Sequence, residues 1–276
     1  MRRTVGPREV LDDLTAGLEA VLGDGLTGLY LHGSLVAGDF APTRSDIDVL
    51  ALVVRPPDDA TLTAVAPVIA DIEQRHPAWR GRLEVETVGL PTVEAFVSGD
   101  VAAGARQLIM RVSPGEELHL LPATGHRVLT WATVREKGQA LVGPPAPTML
   151  PAVSPELVRA ALLQHVRDWP EWVEDMQQVG GQAYSVLSLC RAWCALVEGE
   201  QLSKRAAADR RATGLLVAGR GTEADLVGWA RDWWYADGSD GETGRLGEVR
   251  DFVVRTCGEI LGQSSGWEAE RGFSPG

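Results

Sequence analysis

The sequence predicts an α+β domain followed by an all-α bundle, and three observations carry that expectation. In the first half, an apolar run at Leu29–Leu31 that ends a strand or a helix, and runs of strand character at Val49–Val54 and Leu83–Val88, alternate with amphipathic helical stretches. Between Pro144 and Ser154 prolines are frequent and charges few, which is the composition of a linker. Beyond it every patterned stretch has a helical period. The expected division is 1–147 for the first domain, 148–262 for the second and 263–276 for a flexible tail.

The elements follow in order. Arg8–Leu22 places Val10, Leu11, Leu14, Leu18, Val21 and Leu22 at helical spacing. Leu29–Leu31 leads into His32-Gly33-Ser34, then a turn-rich stretch, then Ser45-Asp46-Ile47-Asp48 and the strand Val49–Val54. Thr61–Arg75 reads as a helix despite Pro67. It lies between two strands, because Arg82–Val88 (RLEVETV) alternates cleanly. Glu94–Arg111 reads as a helix, capped at Ser98, and Glu117–Leu121 as a short strand. Arg127–Gly138 is a helix before the linker. After it, Pro155–Trp169 begins with Ser154 as cap and Pro155 in the first turn. Gln182–Glu198, Lys204–Gly214, Glu223–Tyr235 and Gly244–Leu261 complete a five-helix bundle.

Composition narrows the function. The chain has 276 residues, 45% of them hydrophobic, enough for two cores. No apolar run approaches the ~20 residues of a membrane span. The segment MRRTVGPREVLDDL has no apolar h-region, so a cytoplasmic location is expected. The three cysteines, Cys190, Cys194 and Cys257, lack metal-type spacing and fit a reducing compartment. Cys190 and Cys194, one turn apart beside Leu187 and Trp193, read as core. A net charge of −12 argues against nucleic acid as partner and is compatible with a cationic small substrate. No membrane partner is expected, and a monomer is.

The chemistry concentrates between Leu29 and Val54. Side chains alternate along a strand, so Asp46 and Asp48 point one way and Ile47 and Val49 the other. Two neighbouring carboxylates repel unless a cation sits between them. Mg²⁺, held by carboxylates and substrate phosphates, is the usual one.

Gly33-Ser34 followed by Asp46-Ile47-Asp48 between apolar runs resembles the signature of the polymerase-β-type nucleotidyltransferases. The resemblance implies a mixed sheet with helices. It implies that Gly33, Ser34 and Ser45 hold a nucleoside triphosphate and that Asp46 and Asp48 bind metal, two Mg²⁺ ions in all. A third carboxylate comes from the adjacent strand in this fold. Leu83-Glu84-Val85 matches the Leu-Glu-Val that carries the base in the aminoglycoside adenylyltransferases, which assigns Glu84, with Glu86 one pleat on as the alternative.

The likeness to that family continues. Ala140–Pro145 (ALVGPP) resembles the end of its nucleotidyltransferase domain. Leu187–Trp193 (LSLCRAW) and Gly199–Arg210 (GEQLSKRAAADR) resemble stretches of its helical domain. By resemblance Lys204 reaches the triphosphate and Tyr235 stands near the nucleotide, unless it packs with Trp233 and Trp234. Pro170-Glu171-Trp172-Val173-Glu174-Asp175 resembles the stretch whose two acids meet the cationic drug, here Glu171 and Asp175. The extra residues Met176–Gly181 follow it, and the tryptophan that stacks on streptomycin has no counterpart.

The activity implied is transfer of AMP from ATP to a hydroxyl of an aminoglycoside or aminocyclitol, held in a cleft between the domains. Antibiotic resistance by modification would follow. The competing readings are AMP transfer to a protein, as in short antitoxin-type nucleotidyltransferases, and a catalytically silent nucleotide-sensing module.

Overall fold

Strand after strand in the first part of the chain carries apolar residues on both faces, so its sheet has to be covered on both sides. The structure, a computed structural model, describes residues 6–236 and 243–270. The chain divides into two compact units. One comprises the chain to Phe40 and Ser45–Val158; the other comprises Ala41–Arg44 and the chain from Arg159 onward.

The first unit runs α1 (Pro7–Leu22), β1 (Leu26–His32), α2 (Gly33–Ala37), β2 (Ile47–Val53), α3 (Asp59–Arg75) and β3 (Leu83–Gly89). It continues with α4 (Leu90–Val97), α5 (Val101–Ala105), β4 (Leu108–Ser113), β5 (Glu116–Pro122), α6 (Arg127–Lys137), β6 (Gln139–Val142) and α7 (Ala146–Met149). The sheet order is β5-β4-β3-β2-β1-β6. β2 and β3 are parallel, joined by α3, and the other pairs are antiparallel. This is the mixed sheet with helices that the sequence predicts.

Period two sorts the side chains. Leu29, Leu31, Ile47, Val49, Ala51, Leu83 and Val85 face one way and are buried under Val10, Leu14 and Leu18 of α1 and Val65, Ile69 and Ile72 of α3. Asp58 caps α3 by accepting the Thr61 N–H at 2.9 Å. Pro67 sits inside the helix without ending it. Asp13 of α1 takes Arg75 at 2.5 Å and His76 at 2.7 Å, tying the two covering helices together. The opposite face buries Tyr30, Leu50 and Leu52, with Phe96 of α4 and Trp131 of α6 also inside, their rings 5.7 Å apart.

The structure corrects one element. The stretch 94–111 is not a single helix: α4 ends at Val97, α5 is one short turn, and Leu108–Arg111 lies in β4. Gly99 at φ 89° breaks the helix, and Asp100 recaps the next by accepting the Ala103 N–H at 2.9 Å. Ser98 stands at the end of α4 rather than at a helix start. Leu108–Ser113 then pairs as β4 with β3 on one side and β5 on the other.

The second unit contains α8 (Pro155–Trp172), whose first turn belongs to the first unit, α9 (Val179–Trp193), α10 (Lys204–Val217), α11 (Gly221–Tyr235) and α12 (Leu246–Glu270). A π-helical turn, Cys194–Glu198, extends α9. Its core takes Val166, Trp169, Val186, Leu187, Leu189, Ala207, Val227, Val249 and Phe252, together with all three cysteines. α12 continues eight residues past Gly262. Once a helix is nucleated each further residue adds a hydrogen bond, and a glycine costs only about 1 kcal/mol. Residues 271–276 of the expected tail lie outside the described residues. Among the described residues no helix is long and apolar enough to cross a membrane.

Leu14 is fully buried under the sheet, while its helix neighbour Leu11 is only partly so. Leu14→Ala should therefore destabilise the protein by about 2–5 kcal/mol, and Leu11→Ala by clearly less, as read by chemical denaturation. Equal losses would mean that α1 packs on the sheet through a different face.

Candidate active site

The acids gather at one end of the sheet because the strand register brings them there. β1 and β2 pair His32 with Asp48, and β2 and β3 pair Asp48 with Glu84. Paired residues on neighbouring strands share a face, so His32, Asp48 and Glu84 form one row. Asp46 immediately precedes β2 and is two residues from Asp48. Asp46, Asp48 and Glu84 are all partly exposed at this end of the sheet.

The Gly-Ser segment is a short helix, α2, rather than a bare turn, and it starts where β1 ends. Gly33 has φ 67°, in the left-handed region. A Cβ placed on it would lie 1.9 Å from Oδ2 of Asp48. The Asp48 carboxylate is thus packed against the Gly33 backbone, and only glycine leaves room for it. Ser34 follows in α2. Ser45 is buried, and its carbonyl accepts from Nε of Arg82 at 3.1 Å and from Nη2 of the same guanidinium. Desolvation pushes the His32 imidazole down to about 4, so it is uncharged at neutral pH.

The two glutamates of β3 differ sharply. Glu84 is at the rim, whereas Glu86 is buried one pleat deeper. Its Oε1 accepts the Trp131 indole N–H at 2.8 Å and its Oε2 accepts from Arg127 Nη1 at 3.1 Å. Burial raises the Glu86 pKa; the Arg127 charge and the Trp131 hydrogen bond oppose that rise, and nearby Glu84 adds to it. Glu86 is occupied in holding α6 to the sheet, which leaves Glu84 as the rim glutamate level with Asp48.

Among the described residues no three carboxylate, imidazole or thiol groups converge closely enough to enclose a metal ion by themselves. Asp46 and Asp48 offer hard oxygen donors, which suits Mg²⁺: it is usually held by one or two carboxylates together with substrate phosphates rather than by a protein cage.

In the second unit Ser203 caps α10 by accepting the Ala206 N–H at 3.3 Å, and Lys204 opens the helix. The Lys204 ammonium lies 4.2 Å from the Trp234 ring centroid and 4.9 Å from that of Tyr184. Tyr235 is instead covered by the Arg205 guanidinium at 3.9 Å. The aromatic partners of Lys204 here are thus Trp234 and Tyr184. The run Trp233-Trp234-Tyr235 offered three adjacent rings, and only the helix geometry distinguishes them. Glu171 is exposed near the end of α8, and Asp175 is exposed on a 3₁₀ turn, Val173–Asp175. Glu174 between them pairs with Arg250 at 2.6 Å. The extra segment is pinned: Gln177 Nε2 donates to the Glu174 carbonyl at 2.6 Å, and buried Gln182 donates to the Gln177 carbonyl at 3.1 Å.

Comparison with known proteins bears on both units. Residues 148–259 match the family described as aminoglycoside adenylyltransferase, C-terminal domain. The structure matches that of the spectinomycin adenyltransferase AAD(9) from Enterococcus faecialis with ATP and spectinomycin. The TM-score is 0.72 at 16% identity, covering 91% of this chain and 98% of that chain. The chain is similar to the aminoglycoside adenylyltransferases. No curated protein matches it in sequence.

For an adenylyltransferase-like chain, the contact between Gly33 and Asp48 is the tightest constraint at the rim. Gly33→Ala would force a strained backbone and push the Asp48 carboxylate aside. Nucleotidyl transfer should fall on the order of 10²-fold while the far-ultraviolet circular dichroism is kept. A folded variant with unimpaired turnover would show that Asp48 need not lie against this turn.

Proposed function

We propose that the protein is an ATP-dependent, Mg²⁺-dependent adenylyltransferase that moves AMP to a hydroxyl of a cationic aminoglycoside or aminocyclitol, inactivating the drug. One observation carries the reading. Asp48 packs against Gly33 and stands level with Glu84, with Asp46 just ahead of β2. The match of residues 148–259 to the family's C-terminal domain supports the acceptor class. The AAD(9) structure, with ATP and spectinomycin, supports ATP as co-substrate.

In this reading Asp46 and Asp48 would hold the Mg²⁺ ions, which, when bound, offset charge developing on the α-phosphate and the departing pyrophosphate. Gly33, Ser34 and Ser45 orient the triphosphate. Glu84 accepts the proton of the attacking hydroxyl through its carboxylate. In the second unit Lys204 binds phosphate oxygens at the start of α10, the helix end that favours an anion. Trp234 and Tyr184 beneath it hold the ammonium in place, and Tyr235 is assigned a place near the nucleotide by resemblance alone. Glu171 and Asp175 meet ammonium groups of the acceptor. A chain of net charge −12 suits such an acceptor. The protein is taken to be a cytoplasmic monomer.

Incubation with Mg²⁺, ATP labelled at the α-phosphate and a panel of aminoglycosides tests the reading directly. Label should move to a drug, not to protein. Asp46→Asn and Asp48→Asn should each lose more than ~100-fold in rate. Glu84→Gln should lose about 10²–10⁴-fold, mainly in kcat, with MgATP binding retained. Label appearing on protein, or nowhere with the whole panel, would overturn the assignment.

The acceptor side has its own test. Calorimetric titration of a drug that is turned over should show at least about tenfold weaker binding to a Glu171→Gln/Asp175→Asn variant, since each carboxylate facing an ammonium contributes about 1.5–3 kcal/mol. ATP affinity should change little. Equal drug affinities would place acceptor recognition on other residues.

A further inference from the structure

We propose that Arg82 is a positioning residue that fixes the Asp46 carboxylate relative to Glu84, an inference that rests on the nucleotidyltransferase reading above. Arg82 is the last residue before β3, two positions ahead of Glu84. Its own carbonyl accepts the Ile47 N–H at 2.9 Å. Its guanidinium reaches across to the other side of Asp46, where Nε at 3.1 Å and Nη2 both donate to the Ser45 carbonyl. The peptide group before Asp46 and the one after it are therefore both held by a single residue. With both flanking peptide planes tethered, the direction of the Asp46 Cα–Cβ bond is set.

The guanidinium is itself held. It lies 4.5 Å from the ring centroid of Trp79, which is 4% exposed and stacks on Phe40 at 6.1 Å. The Arg82 N–H donates to the Trp79 carbonyl at 3.0 Å, closing the turn that delivers the chain into β3. The aromatic shelf presents the guanidinium edge-on to Ser45. A charged fork on a neutral carbonyl makes a stronger clamp than a backbone N–H would. Asp46 lies outside the strand ladder of β2, which begins at Ile47, so this clamp does for Asp46 what register does for Asp48. Arginine is needed rather than lysine because two donors in a fixed plane converge on one acceptor.

The test compares wild type with Arg82→Met, which keeps the stem over Trp79 and removes the donors, and Arg82→Lys, which keeps the charge but not the fork. Binding of MgATP is measured by calorimetry, alongside the Mg²⁺ concentration dependence of transfer. Displacing Asp46 by about 1 Å should lower kcat on the order of 10²-fold in Arg82→Met. It should also raise the Mg²⁺ concentration needed for half-maximal rate and weaken MgATP binding. Arg82→Lys should fall between the two. If Arg82→Met does not fold, Arg82→Lys carries the test, with reduced MgATP affinity and a raised Mg²⁺ requirement expected. Folded variants with a lowered melting temperature but wild-type MgATP affinity and Mg²⁺ dependence would make Arg82 merely structural and overturn the proposal. A wild type that neither binds MgATP nor transfers AMP would overturn the nucleotidyltransferase reading and this inference with it.

Discussion

The parallel pairing of β2 with β3 is the constraint on which the rest depends. It sets Asp48 level with Glu84, and two carboxylates side by side on neighbouring strands repel. The pairing is enforced from the other face of the same strands. Ile47, Val49 and Ala51 pack with Leu83 and Val85 beneath α1 and α3, and a slip of one strand by one residue would drive its acid, Asp48 or Glu84, into that core. Burying those apolar side chains stabilises each by about 1.5–3 kcal/mol, far more than exposed rim charges cost each other. A hydrophobic core on one face thus holds an electrostatically unfavourable row on the other.

Along that second face the environment changes within one pleat. The rim is wet enough to keep Asp46, Asp48 and Glu84 partly exposed. One step in, Glu86 is surrounded by protein and needs Arg127 and the Trp131 N–H to be held there. Removing one partner of such a buried pair costs more than the pair contributes, so Glu86 is committed to structure. The same residue type two positions apart on one face of a strand thereby stands in two different environments. The gradient from solvent to core decides which is which.

In the second unit cations are held by rings. Lys204 sits over Trp234 and Tyr184, Arg205 over Tyr235, Arg44 over Trp233 and Arg211 over Trp193. Each contact contributes about 0.5–2 kcal/mol and restricts a long side chain without neutralising its charge. A lysine held beside rings at a helix start is suited to phosphate, which is the part proposed for Lys204.

The sequence by itself determined the α+β and all-α halves, the strands of the motif and the rim acids, since each is written in a local period of two or 3.6 residues. It also carried the family resemblance, because Gly33-Ser34, Asp46-Ile47-Asp48 and Leu83-Glu84-Val85 are short contiguous strings. It misread 94–111, where one glycine and one cap split a helical count that a following strand happens to continue. It passed over β6, whose four residues are too few to show a period. The resemblance assigned Glu84 ahead of Glu86; that Glu86 is buried and Glu84 is not appears only in the tertiary structure, because burial under α6 is not a property of β3. Only it placed Lys204 beside Trp234 and Tyr184 and Tyr235 under Arg205, an arrangement made by how α9, α10 and α11 pack. The Arg82 clamp was invisible for the simplest reason: its partners are a backbone carbonyl and a backbone N–H, which every residue carries and no letter of the sequence distinguishes.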